Sequence, residues 1–107
     1  MGKYLVLWRR VWESFPTDPK ERLKSSKKIV TLLDNWIKKG EIKEHGHFLD
    51  GASGYTIWEV EAKELLSNYT MLYPYYEYEI HEFIPYEKSK EIVVTNLEAD
   101  AKAEVKK

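Results

Sequence analysis

The chain has 107 residues, a formal net charge of −1 and no cysteine. This length suits one domain with one core, and the lack of cysteine excludes disulfides and thiolate chemistry. Charges of both signs are spread along the chain and no apolar run approaches the ~18 residues of a membrane span, so we expect no binding to nucleic acid or membrane.

The N-terminal segment predicts a strand followed by a long helix. Residues 3–12 (KYLVLWRRVW) are rich in β-branched and aromatic side chains, which is typical of a strand. Because the strand pattern begins within the first three residues, we expect no signal peptide and therefore a cytoplasmic protein. Asp18 is the expected N-cap of the helix, with Pro19 at its first position and Glu21 as in a capping box. Apolar residues then recur at helical spacing up to Gly40, the expected stop.

A hairpin is predicted after this helix. Residues 41–49 predict a second strand and residues 55–61 a third, joined by the turn sequence DGASG. Within the second strand, alternation assigns Ile42, Gly46 and Phe48 to one face. It assigns Lys43, His45, His47 and Leu49 to the other face.

The remaining chain predicts a short helix, a fourth strand and an extension. Residues 62–70 favour the helix, and residues 76–84 alternate as a strand. Residues 1–85 therefore form the predicted domain. Residues 86–107 form a C-terminal extension whose four-residue apolar spacing permits a third helix with a frayed end.

This element order predicts an α+β fold of the ferredoxin-like β-α-β-β-α-β type. Right-handed crossovers give an antiparallel sheet in the order 4-1-3-2, with both main helices on one face. Strands one and three nevertheless carry large apolar residues on both faces. Two helices cover only one face, and the other would be an unusually large apolar patch for a monomer. We expect a second copy of the chain to cover it, or alternatively the C-terminal segment folded back.

Two segments carry a family resemblance. Residues 54–61 (GYTIWEVE) and 73–80 (YPYYEYEI) resemble the second half of muconolactone delta-isomerases, and the whole chain is more similar to uncharacterised members of the same dimeric α/β-barrel superfamily. The resemblance implies a ferredoxin-like fold and a homodimer. It does not imply one reaction, because the superfamily includes isomerases, monooxygenases, haem-degrading enzymes and proteins with no known reaction.

Three histidines are candidate ligand-binding or acid–base residues. His45 and His47 share one face of the second strand, and His81 lies on the fourth strand. Within one chain these strands are opposite edges of the sheet, roughly 14 Å apart. Across a dimer, His81 could approach the two histidines of the neighbouring chain. The alternative is that all three are edge-strand histidines without a ligand role, and we predict no metal and no cofactor.

Two carboxylates are candidate catalytic or binding groups. Glu59 lies in the third strand, where the resembling isomerases also carry an acid, and is a candidate catalytic residue together with His81. Glu79 shares the face of His81 and could bind a ligand or act as a general base if burial raised its pKa. On an edge strand, such glutamates also serve to block unwanted sheet extension.

Arginine and aromatic residues suggest a site for a flat or anionic ligand. Alternation places either Arg9 or Arg10 on the face opposite the helices, where a guanidinium could bind a carboxylate or form a salt bridge with Glu13 or a strand-four glutamate. We select Arg9 as a ligand-binding candidate. Tyr55 joins the aromatics that could line a pocket or an interface; the others are Tyr4, Trp8, Trp12 and Tyr75.

Two functions remain open from these patterns. The first is a dimeric α/β-barrel protein that binds a small aromatic or carboxylate-bearing metabolite between facing sheets, with isomerase-like proton transfer. The second is a non-catalytic oligomerisation or regulatory module. The enrichment in Lys and Glu with no Gln is typical of thermophile proteins, and also of an AT-rich genome.

Overall fold

The computed structural model describes residues 1–105, with side chains described up to residue 103. It contains a four-stranded antiparallel sheet, three α-helices and one turn of 3₁₀-helix. In chain order the elements are β1 (Gly2–Arg10), the 3₁₀ turn (Trp12–Ser14), α1 (Pro19–Lys38), β2 (Ile42–His47), β3 (Ser53–Val60), α2 (Ala62–Leu72), β4 (Tyr76–Glu82) and α3 (Tyr86–Val105).

Helix α1 begins and ends at the predicted residues. The Asp18 carboxylate accepts a hydrogen bond from the backbone N–H of Glu21 at 3.0 Å, and Pro19 occupies the first turn. Gly40 follows the C-cap with a φ of +80°, a conformation that glycine adopts without steric cost. The N-cap at Asp18 and the positive-φ glycine at Gly40 therefore set the two ends of the helix that crosses from β1 to β2.

The sheet has the order β2-β3-β1-β4, and each neighbouring pair is antiparallel. Read from the β4 edge, this is the order 4-1-3-2 that right-handed crossovers give. The architecture is α+β and compatible with the ferredoxin-like fold.

The core lies between one face of the sheet and helices α1 and α2. Val6, Trp58 and Val60 are at most 1% exposed, the lowest values in the core. Trp36 of α1 packs against Trp58 with ring centroids 5.3 Å apart, and the Trp58 indole donates to the Tyr69 hydroxyl of α2 at 2.7 Å. Aromatic residues from the sheet and both helices therefore hold this layer together.

The predicted face assignment of β2 is wrong because the strand contains a bulge. The pairing with β3 shifts between Ile42 and Glu44, so that Ile42 pairs with Trp58 and His45 pairs with Thr56. An extra residue at a bulge reverses the alternation beyond it. Ile42, His45 and His47 consequently share the helix-covered face, rather than lying on opposite faces.

The second sheet face is covered by neither main helix; we call it the open face. Its central positions pair Leu5 with Ile57 and Leu7 with Tyr55, and all four side chains are half-buried. Charged residues of β4 and β2 flank this apolar centre. The open face is therefore apolar in the middle and charged at its edges.

Helix α3 does not cover the open face of its own chain. Its described side chains are exposed apart from a half-buried Ser89, and the long axis of the molecule is 71 Å, compared with 27 and 22 Å for the others. The predicted third helix thus forms but projects from the domain. Residues 106 and 107 of the predicted extension lie outside the described residues. Within the described part of the chain, no helix combines the length and the apolar character needed to cross a membrane.

Candidate functional site

A cavity of about 70 Å³ lies between α1, α2 and the helix-covered face of the sheet, and it is partly open to the surface. This volume has room for several water molecules or for a ligand group of a few atoms. We call it the α1–sheet cavity. Its lining residues are Trp8, Arg10, Phe15, Ser26, Ile29, Val30, Leu33, His45, His47, Thr56, Tyr69, Leu72, Tyr76 and Tyr78.

The Trp8 indole is the central side chain of the cavity lining. It lies across the neighbouring strand because Gly54, its partner in β3, has no side chain. A Cβ at Gly54 would collide with the Trp8 ring and with the carbonyl oxygen of Gly46. The indole stacks on His45 with ring centroids 5.5 Å apart, and meets His47 and Tyr76 edge-on.

Four buried polar atoms of the lining make no hydrogen bond to any group among residues 1–105. They are the indole nitrogen of Trp8, Nε of Arg10, Nε2 of His45 and the hydroxyl of Tyr78. Buried polar groups in proteins are nearly always paired, since an unpaired one costs roughly 1–3 kcal/mol. Four such groups around one partly open cavity can be paired by water molecules or by a polar ligand.

His45 is oriented by a neighbouring hydroxyl. Its Nδ1 lies 2.7 Å from the Thr56 Oγ1, which itself is buried. Burial, and then the nearby His47, lower the pKa of His45 from its ordinary value of 6.5, so the imidazole is neutral at pH 7. When Thr56 donates to Nδ1, Nε2 carries the proton into the cavity; when Nδ1 donates, Nε2 is a base.

The predicted site residues fall on two sides of the sheet. His45 and His47 line the cavity, whereas Arg9, Tyr55, Glu59, Glu79 and His81 lie on the open face. The bulge in β2 separates the first pair from His81, so the predicted convergence of the three histidines between facing sheets is wrong. The open-face residues share one surface, with Glu59 opposite Lys3 at one end of β1 and Arg9 at its other end.

Two pairs of polar side chains contact each other on the open face. Arg9 donates to Glu77 at 3.1 Å, and His81 lies 3.5 Å from Glu79. Arg9 thus forms the strand-four salt bridge that was one of its two predicted roles. All four side chains are more than half exposed, so these pairs are weak surface interactions.

Glu59 is held in its ionised form. Its carboxylate lies 3.1 Å from the Lys3 ammonium and 3.8 Å from that of Lys43. The hydrogen bond and the charge of Lys3 lower the pKa of Glu59, with a smaller contribution from Lys43. A general acid or base at neutral pH needs a raised carboxyl pKa instead, so this environment does not favour the predicted catalytic role.

Most residues of the cavity lining lie outside the predicted site, and Arg10, Thr56 and Tyr78 are the polar ones that matter most for its chemistry. The period-two alternation of β1 contained the signal for Arg10, because it places Arg10 on the same face as Val6 and Trp8. Trp8 is one of the aromatic residues expected from the sequence to line a pocket or an interface. The alternation gave no sign of the bulge in β2, which brings His45 onto the same sheet face as Trp8 and Arg10.

Comparison of the chain with models of protein families gives no match, and no curated protein is significantly similar to it. In the part of the chain that the structure describes, no three His, Asp or Glu side chains are grouped to hold a metal ion.

Proposed function

We propose that this protein binds a small aromatic or carboxylate-bearing metabolite in the α1–sheet cavity. The observation that carries the proposal is the set of four unpaired buried polar atoms around that one cavity. Apolar walls with a few convergent polar groups are the usual construction of a small-molecule site. The cavity volume of about 70 Å³ suits the polar head of a ligand whose remainder extends through the opening.

Isomerase-like proton transfer at this site would fall to His45. The neutral imidazole has one nitrogen fixed by Thr56 and one unpaired at the cavity. Burial raises the pKa values of Tyr76 and Tyr78, so these hydroxyls keep their protons at neutral pH. His45 is therefore the lining residue best suited to exchange a proton with a ligand, in place of Glu59 and His81.

Self-association belongs to the same proposal. The half-buried centre of the open face, made of Leu5, Leu7, Tyr55 and Ile57, is not covered by the chain's own described helices. A second copy placed face to face would bury it, and the charged edges would set the orientation. This arrangement is the homodimer that the resemblance to dimeric α/β-barrel proteins implies.

The binding proposal is tested by following the four tryptophan indole N–H signals by NMR during titration with small aromatic and aliphatic acids. The Trp8 signal should move and saturate, while the signal of Trp36, which is buried in the core and does not line the cavity, should stay. Replacing the cavity-lining Ser26 by Phe should abolish the response. Ser67→Phe, on an exposed position of α2, is the matched control and should retain it. A Trp8 signal indifferent to every acid would contradict the proposal.

A second candidate function is a non-catalytic oligomerisation module. It is favoured by α3, whose Val93, Val94 and Leu97 are each more than half exposed, in addition to the open face. The two functions separate in one comparison. An oligomerisation module requires that copies of the chain associate. It predicts no saturable change in the Trp8 indole N–H signal during the titration with acids.

A further inference from the structure

We infer that the ligand of the α1–sheet cavity is a carboxylate, and that Arg10 is the residue that selects it over neutral and cationic compounds of the same shape. The inference rests on the proposed function, because it names the chemical class of ligand for the same cavity.

The first support is the charge of the cavity lining. Among the described residues that line it, none is Asp or Glu, and Arg10 is the sole Arg or Lys. Arg10 is half-buried and forms no ion pair with any described carboxylate, whereas the adjacent Arg9 pairs with Glu77. A charge withdrawn from water is costly unless an opposite charge accompanies it. A bound carboxylate would supply that charge.

The second support is the polarity of the unpaired atoms. The indole N–H of Trp8 and the Nε–H of Arg10 can only donate, and the Tyr78 hydroxyl can donate as well. An ionised carboxylate only accepts, and its two oxygens offer about four lone-pair sites. An ammonium or amidinium ligand carries only N–H donors, so it would offer no acceptor to the N–H and O–H donors of the cavity.

The third support is the way Arg10 is held. Its guanidinium carbon lies 5.4 Å from the centroid of the Trp12 ring, and Arg10 pairs with Tyr76 in the register of β1 and β4. These neighbours fix the guanidinium on one side. The Nε–H remains unpaired and can donate to a ligand oxygen. Arginine commonly binds a carboxylate in this way, through the edge of its guanidinium.

The test uses three planar compounds of nearly the same shape and different charge: benzoate, benzamide and benzamidine. Each is titrated into the full chain at pH 7.5, with the Trp8 indole N–H as the readout. Charge-assisted hydrogen bonds are about twice as strong as neutral ones, so benzoate should bind at least about tenfold more tightly than benzamide. Benzamidine should not bind at this site.

Variants assign the preference to Arg10. Arg10→Met should bring the benzoate and benzamide affinities to within about threefold of each other, and Arg10→Lys should retain part of the preference through its charge. Arg9→Met is the matched control, since Arg9 lies on the opposite sheet face, and it should keep the wild-type ratio.

The outcomes separate this inference from the proposed function. Benzamide or benzamidine moving the Trp8 signal at equal or lower concentration than benzoate would overturn the carboxylate inference and leave the cavity as a binding site. An unchanged benzoate preference in Arg10→Met would overturn the role of Arg10. No response of Trp8 to any of the three compounds would overturn the proposed function itself.

Discussion

The rings of Trp8 and His45 lie nearly parallel, 9° apart, with centroids separated by 5.5 Å. The two residues come from strands that are not neighbours, because β3 lies between β1 and β2. They meet above Gly54, whose missing side chain leaves space for the indole. The contact joins a donor-only indole to a neutral imidazole, and it defines the polar side of the α1–sheet cavity.

The environment of His45 predicts a loss of stability in mild acid. The folded state lowers the pKa of this imidazole, so it takes up a proton at a lower pH than in the unfolded chain, where the ordinary value is 6.5. The unfolded state therefore binds more protons as the pH falls below that value, and the free energy of unfolding decreases. Thermal melts between pH 7.5 and 5.5 should show a falling Tm in the wild type and a smaller fall in His45→Gln. His81→Gln, on the exposed open face, should follow the wild type; equal slopes in all three proteins would contradict the assignment.

The core is predicted to depend on Trp36. This side chain is 5% exposed and packs against Trp58, so Trp36→Ala should cost about 3–5 kcal/mol through lost burial and the cavity left behind. Trp12→Ala, at a 49% exposed position, is the control and should cost far less. Leu33→Ala should fall between them, since Leu33 is only partly buried against the core. Chemical denaturation of the three variants measures this order.

The sequence predicted the helix ends and the sheet order because the signals for both are local. Asp18 and Gly40 act within one helical turn, and crossover handedness follows from the element order. Local signals of this kind did not predict the sheet face on which the His45 side chain lies. One extra residue near Lys43 reverses the alternation of the strand after it, and no Gly, Pro or Asn marks that position.

The location of the cavity was also beyond the sequence patterns. It depends on how far α1 stands from the sheet, and on Gly54 admitting the Trp8 ring. Both are properties of packing between distant segments. The alternation of β1 does indicate the face of Arg10, whereas the site predicted between facing sheets includes Arg9 instead.

The open face is predicted to mediate association. Size exclusion with light scattering at micromolar concentration should give a mass at least about twice the 12.7 kDa of the chain. Ile57→Glu places a charge in the centre of the open face and should give a monomer that remains folded. Leu66→Glu, at a 69% exposed position of α2, should leave the mass unchanged. A wild-type monomer would contradict the prediction.

Glu59 is predicted to serve a structural role. Because Lys3 lowers its pKa, the stabilisation that its ionised form provides is complete above the ordinary value of 4.5 and lost as the pH falls below it. Glu59→Gln should shift Tm at pH 7 by less than about 4 °C, as expected for a partly exposed ion pair. It should leave the response of Trp8 to benzoate unchanged. A loss of that response with an unchanged Tm would restore Glu59 as a site residue.

Binding in the α1–sheet cavity is tested most directly by a crystal structure of the full chain grown with benzoate. The carboxylate oxygens should lie about 3 Å from the indole nitrogen of Trp8 and from Nε of Arg10, with His45 in contact with the ligand. Benzoate bound instead on the open face beside Glu79 and His81, with the α1–sheet cavity closed by side chains, would contradict it.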